Sequence, residues 1–173
     1  MKKLVLILAA FISSCQPAYA GTVVDMLKAE EGFRAKPYLG TEGYIHIGYG
    51  YKLHKDLGLD PSSFLLTVNE DIASKLLEID INTIKIRLLH GVYGKIYEAQ
   101  NEPVKDVLVS MTYQLGYSGI LKFRKMWAAL KVGDADAASS EALDSDWVEQ
   151  TPARAARHAY TIETGKPYEY GNR

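Results

Sequence analysis

Residues 26–50 read Met26-Leu27-Lys28-Ala29-Glu30-Glu31-Gly32-Phe33-Arg34-Ala35-Lys36-Pro37-Tyr38-Leu39-Gly40-Thr41-Glu42-Gly43-Tyr44-Ile45-His46-Ile47-Gly48-Tyr49-Gly50. Within this stretch the pattern changes from helical to extended. Just upstream, Thr22-Val23-Val24-Asp25 is an N-cap with an acidic residue three positions on. Gly32 is a natural residue to stand just past a helix end, so a short helix is expected between the two. Residues 33–50 are rich in Gly and Tyr, and Tyr44-Ile45-His46-Ile47 alternates, which predicts a small antiparallel sheet. Thr41-Glu42-Gly43 reads as a turn in it. Glu31 closes the helix, where the negative end of the helix dipole and the neighbouring Glu30 both disfavour a charged carboxylate. A carboxyl held toward its protonated form suits a general acid for glycosidic cleavage. Taken alone, the same position also suits a solvated surface glutamate.

Outward from this segment, the 173-residue chain has the length of one domain with enough apolar residues, 47%, to bury a core. Twenty Lys and Arg against 21 Asp and Glu, with no basic run, argue against a nucleic-acid binder that works by neutralising phosphates. A single cysteine excludes a disulfide framework and a CxxC zinc or redox site.

The N-terminus reads as an address. Met1-Lys2-Lys3 is a basic start, Leu4 to Phe11 is an apolar run, and Ala18-Tyr19-Ala20 offers small residues before a cleavage point at Gly21. Residues 1–20 are therefore expected to be a secretory signal peptide, giving an exported, periplasmic or secreted protein. Ile12-Ser13-Ser14-Cys15 also fits a lipoprotein box, with Cys15 lipidated and the protein held on the outer or inner membrane. A third reading keeps the uncharged stretch from Leu4 to Val24 as a weak, releasable anchor.

Downstream, Asp60-Pro61-Ser62-Ser63 reads as a loop. Thr67 and Glu70 form a capping box that opens a helix to about Leu89. Ile72, Leu76 and Ile79 lie on one side of it, and Leu77, Ile81, Ile84 and Leu88 on another. Two apolar faces imply a strut buried on both sides. Further helices are expected from Pro103, over about 119–132 and 134–143, and from Thr151-Pro152 to Gly165. The expected architecture is α+β in two lobes: a sheet lobe over about 21–66, a connecting helix over 67–89 and a helical lobe over 90–173.

Several chemistries lack their motifs. There is no GxxxxGK[ST], HExxH or GxSxG, and Gly48-Tyr49-Gly50 is too little for a dinucleotide fingerprint. His46, His54, His90 and His158 show no ligand spacing, so no metal site and no organic cofactor are expected.

The segment 26–50 resembles the active-site region of bacteriophage-type lysozymes, glycoside hydrolase family 24, also seen in endolysins. Tyr113-Gln114-Leu115-Gly116 with Phe123 resembles that family's helix beside the cleft. Trp147 followed by Gln150-Thr151-Pro152-Ala153-Arg154-Ala155-Ala156-Arg157 is similar to its W…QTPxRAxR segment, and Thr164-Gly165 with Tyr170 to its C-terminus. The resemblance spans residues 21–173. It implies the two-lobed fold and a monomeric peptidoglycan hydrolase that cleaves the β-1,4 bond between N-acetylmuramic acid and N-acetylglucosamine. Glycan strands are the implied partner, and a membrane enters only through the N-terminal segment. Glu31 fills the place of the family's general acid, Tyr113 and Gln114 become cleft-lining, substrate-binding candidates, and Arg154 a partner for Glu31.

The chain departs from the family pattern at two positions. Where that pattern is Glu, eight residues, Asp, five residues, Thr, this chain has Gly40 for the aspartate and His46 for the threonine. Glu42 matches the family's turn glutamate, and Tyr51 replaces a common histidine. Strand alternation turns His46 away from Ile45 and Ile47 and toward the cleft. There a neutral imidazole can act as a base toward water or as a nucleophile. Two alternatives stand beside this: lytic transglycosylation using Glu31 alone, and a non-catalytic peptidoglycan-binding homologue.

Overall fold

The structure, a computed structural model, describes residues 22–40, 43–55 and 60–169. The expected signal peptide with Cys15, the tip of the turn at Thr41-Glu42, and Tyr170 lie outside the described residues. Helix α1 (Val23–Glu31) begins as expected: the Thr22 side chain accepts from the Asp25 backbone N–H. It ends at Gly32, whose φ of 69° is one that side chains rarely adopt. Val23, Met26 and Leu27 are buried, so α1 is anchored by its apolar face and presents Glu30 and Glu31 at its C-terminal end.

Three strands follow, β1 (Arg34–Leu39), β2 (Tyr44–Gly48) and β3 (Tyr51–Lys55), antiparallel in the order β1-β2-β3. Ile45 and Ile47 point into the core with no exposure, and His46 faces the other way. Tyr38 lies directly opposite His46, and the β2–β3 register shifts between Ile45 and His46. Such an irregularity re-aims a side chain. Within the expected loop at 60–63, a 3₁₀ turn spans Pro61–Ser63, capped by the Asp60 side chain.

The connecting helix α2 spans Glu70–Leu89, and its cap is Asn69, which accepts from the Ile72 N–H. The expected start at Thr67 is thus corrected. Asparagine at N-cap does the same work two residues later, with Glu70 and Asp71 in the first turn. The expectation of two buried faces is corrected as well. Ala73, Leu77, Ile81 and Leu88 are buried, whereas Ile72 and Ile79 are 47% and 57% exposed. One face of α2 is buried; on the other, Leu76 packs partly against the core while Ile72 and Ile79 lie largely in solvent.

The helical lobe comprises α3 (Gly94–Glu98), α4 (Glu102–Ile120), α5 (Arg124–Val132), α6 (Ala135–Leu143), α7 (Asp146–Gln150) and α8 (Pro152–Thr164). Helix α4 passes through the middle of the core and is interrupted at Gly116. The expected helix at 119–132 starts instead at Arg124, because α4 continues to Ile120. The α+β, two-lobed architecture is as expected. The end of α1, helices α2 and α4 and the last residue of α7 border one cleft with the sheet, and α8 packs behind it against α4.

Candidate active site

The cleft, about 790 Å³, is bordered by Glu31 from the end of α1, Tyr38, Gly40 and His46 from the sheet, Asp80 and Arg87 from α2, and Tyr113 and Gln114 from α4. Glu31 is a quarter exposed, and its Oε1 accepts from Arg154 Nη1 at 2.8 Å. Arg154 is 5% exposed and stands behind the carboxylate rather than in the opening. Glu30, the like-charged neighbour, is held by Arg157: Nη2 reaches both carboxylate oxygens at 2.7 Å, and Nε reaches Oε1 at 3.1 Å. That pairing offsets the charge of Glu30 beside Glu31.

His46 is set by three contacts. Its ring stacks on Tyr38, centroids 5.6 Å apart, and Tyr38 in turn lies under the Arg34 guanidinium at 4.2 Å. Its Nδ1 is 2.8 Å from the Gly50 carbonyl oxygen. A carbonyl only accepts, so Nδ1 carries a proton and donates, and in the neutral ring Nε2 is left with a bare lone pair. Nε2 is buried and has no hydrogen-bond partner among the described residues.

Gly40 explains where that nitrogen lies. A Cβ placed on Gly40 would stand 2.6 Å from His46 Nε2 and 2.7 Å from Cδ2. The imidazole therefore occupies the volume that a side chain at position 40 would need. The backbone at Gly40 is outside the left-handed region, so space and not conformation demands glycine there. Gly40 and His46 form one steric unit: the imidazole fits because the side chain is missing.

Tyr113 and Gln114 line the same cleft, with their polar atoms engaged inside the protein. The Tyr113 hydroxyl donates to the Tyr49 carbonyl oxygen at 2.7 Å, tying α4 to the turn between β2 and β3. Burial, followed by the charges of Asp80 and Glu31, pushes this hydroxyl far above its ordinary pKa, so it remains a donor. The Gln114 side chain accepts from Trp147 Nε1 at 2.9 Å and donates to Thr151 Oγ1 at 3.2 Å. What each presents to the opening is mainly the ring face of Tyr113 and the remaining amide N–H of Gln114. No group of three or more His, Cys, Asp or Glu side chains comes together among the described residues.

Two residues of the site carry no signal in the sequence. Ser110 of α4 and His158 of α8 meet behind Arg154, His158 Nε2 lying 2.8 Å from Ser110 Oγ. They are 48 positions apart, and no periodicity links them. Only the placement of His158 one turn beyond Arg154 on α8 could have suggested it. Burial, then Arg154 and Arg157, hold the His158 pKa well below its ordinary 6.5. The folded protein keeps this ring neutral while the unfolded chain takes up a proton below 6.5. Stability contributed by the neutral ring is therefore intact above that pH and is lost as pH falls toward the depressed folded value. Melting temperature is expected to drop on acidification below pH 6.5, with a limiting slope of about 1.4 kcal/mol per pH unit from this group. His158→Gln should flatten that part of the profile, and an unchanged slope in the variant would refute the assignment.

The fold and the cleft agree with the comparisons to known proteins. Residues 28–157 match the family described as phage lysozyme. The pre-baseplate central spike protein Gp5 of Enterobacteria phage T4 is 30% identical over 87% of this chain, which spans only 29% of that relative. Probable T4-type lysozymes 1 and 2 of Dictyostelium discoideum are 26% and 27% identical over 83% and 84% of the chain, covering 95% and 96% of their own lengths. The match takes in the end of α1, the sheet, α2, α4 and α7, which border the cleft, and the arginines of α8 behind it. The chain belongs to the phage lysozyme family.

Proposed function

We propose that the protein is an exported, monomeric peptidoglycan hydrolase that cleaves the β-1,4 bond between N-acetylmuramic acid and N-acetylglucosamine. The observation that carries this reading is the cleft itself, with the Glu31 carboxyl at one part of its border and the unpartnered His46 Nε2 at another. Glu31 delivers a proton to the glycosidic oxygen, and the C–O bond pair leaves with that oxygen. His46 Nε2 either takes a proton from the attacking water or attacks the sugar carbon itself. A buried nitrogen lone pair without a donor is costly, so a turn of the imidazole that brings Nε2 to water or a sugar hydroxyl is favoured once substrate enters. Tyr113 offers a flat ring face to a sugar, and Gln114 an amide N–H. The step needs no metal and no organic cofactor.

Within this reading, residues 1–20 direct export, with lipidation at Cys15 or an uncleaved anchor as the alternatives, and residues 21–173 act on glycan strands. One observation favours a second reading, a peptidoglycan-binding homologue without catalysis: His46 Nε2 is covered by its neighbours and not open to the cleft water.

The test is incubation of the purified protein with isolated peptidoglycan and mass spectrometry of the soluble products. Fragments ending in reducing muramic acid are expected. Anhydro-muramic ends would transfer the protein to the lytic transglycosylases, acting through Glu31 alone. No fragments, with the protein sedimenting on the wall material, would leave the binding protein.

A further inference from the structure

Arg154 and Arg157 both reach from α8 to the end of α1, yet they hold their carboxylates differently. Arg157 puts N–H groups on both oxygens of Glu30. Arg154 puts one, from Nη1, on Oε1 of Glu31, and Oε2 of Glu31 receives no hydrogen bond from the described residues. The cause lies at the other end of the guanidinium. Its Nη2 donates to the Ser110 carbonyl oxygen at 3.2 Å and to Ser110 Oγ at 2.9 Å. A guanidinium has no acceptor, so Ser110 Oγ accepts from it and turns its own proton to His158 Nε2, 2.8 Å away. His158 then carries its proton on Nδ1. Ser110, His158 and Arg154 are 0%, 1% and 5% exposed, so water does not replace these bonds.

We infer that Ser110 and His158 are positioning residues that hold Nη2 of Arg154 away from Glu31, restricting it to one hydrogen bond and leaving Oε2 free to carry the proton that is delivered to the glycosidic oxygen. This rests on the reading of Glu31 as general acid. Two N–H groups on a carboxylate favour its charged form more than one does. A glutamate gripped on both oxygens, as Glu30 is, takes up a proton only at the cost of weakening a charged hydrogen bond. The single bond from Nη1 still serves after transfer, when Glu31 is left as an anion beside Arg154. Besides Arg154 behind it, the titratable groups of the cleft are Arg34 of β1, His46 of β2, Tyr51 and Lys52 of β3, Asp80 and Arg87 of α2 and Tyr117 of α4, together with the two phenols that feel the charge of Glu31, Tyr38 and Tyr113. Burial raises both phenols above their ordinary value, so neither changes charge near neutrality.

The experiment uses the full chain with Ser110→Ala and, as a near-isosteric partner that keeps a weak donor and acceptor, Ser110→Cys. Fragment release from isolated peptidoglycan is followed against pH, and the Glu31 side-chain carboxyl is titrated by carbon-13 NMR. In Ser110→Ala, one Nη2 hydrogen stays on the Ser110 carbonyl and the one that Oγ held is freed for Oε2, so the basic limb of the pH–rate profile moves to lower pH. Activity at pH 7 is expected to fall about tenfold, while the rate at the acidic optimum and KM stay within about twofold. The Glu31 titration moves in the same direction, and Ser110→Cys falls between the two. An equal loss at every pH with an unmoved Glu31 titration would overturn the inference as mere damage to packing. If Ser110→Ala does not fold, the Ser110→Cys titration decides alone. A wild-type protein that releases no fragments would defeat the general-acid reading, whereas the NMR comparison still judges the hydrogen-bonding restraint.

Discussion

Glu31→Gln is expected to reduce fragment release from isolated peptidoglycan by about a thousandfold, with binding to the same material held within about twofold. The amide keeps the shape of the carboxyl, and its oxygen still accepts from Arg154 Nη1, which donates at 2.8 Å in the native protein. It loses the one thing the reaction takes from Glu31, a proton that leaves readily and returns. Proton transfer by a positioned acid contributes roughly 10²–10⁴-fold, and among the described residues no second carboxyl stands beside Glu31 on the cleft border. Among the acidic side chains bordering the cleft, Asp80 lies on α2 and Glu31 alone stands at the end of α1. Rates should be normalised to the folded fraction by melting curves, because Arg154 is buried and loses its counter-charge. A variant as active as the parent would remove Glu31 from the mechanism. One that binds as before, beside an equally inactive parent, would establish a binding protein.

The second large effect concerns position 40. Restoring the family's aspartate by Gly40→Asp is expected to lower activity by about a hundredfold instead of raising it. The new Cβ would stand 2.6 Å from His46 Nε2, nearer than real Cβ contacts come, and the imidazole would have to leave its place on Tyr38. Overpacking of this kind also costs about 1–3 kcal/mol of stability, so the melting temperature falls with the rate. His46→Thr alone is expected to lose about as much activity, since it removes the lone pair and leaves a hole beside Gly40. The two changes together should recover most of the activity, because threonine vacates the volume the aspartate needs. A strong departure from additivity is the signature of two residues sharing one space. Single substitutions that behave independently, or a fully active Gly40→Asp, would show that His46 and Gly40 are not coupled.

Much of the frame was legible in the sequence, because local signals coincided with the tertiary ones. Thr22 and Gly32 bracket α1, the alternation at 44–47 turns His46 away from the core, and Gly165 ends α8 in the left-handed conformation. What was hidden depended on neighbours. Apolar period predicted a second buried face on α2, but a helix can place isoleucines at 72 and 79 toward solvent when no element packs there. Helices α3 and α7 have five residues each, too few to establish a period. Gly40 and His46 were both singled out in the sequence, but not that the imidazole occupies the volume a side chain at position 40 would need. The Ser110–His158 contact exists only because α4 and α8 cross, which no spacing announces.

The two ion pairs between α1 and α8 join residues separated by 123 and 127 positions. A ribosome works from the first of these helices to the last, at about 5–20 residues per second, so Glu31 emerges on the order of ten seconds before Arg154 exists. Throughout that interval the nascent chain has the Glu31 carboxyl without the guanidinium that holds it. A chain interrupted between Gln150 and Arg154 has every described residue that borders the cleft but not the guanidinium behind Glu31.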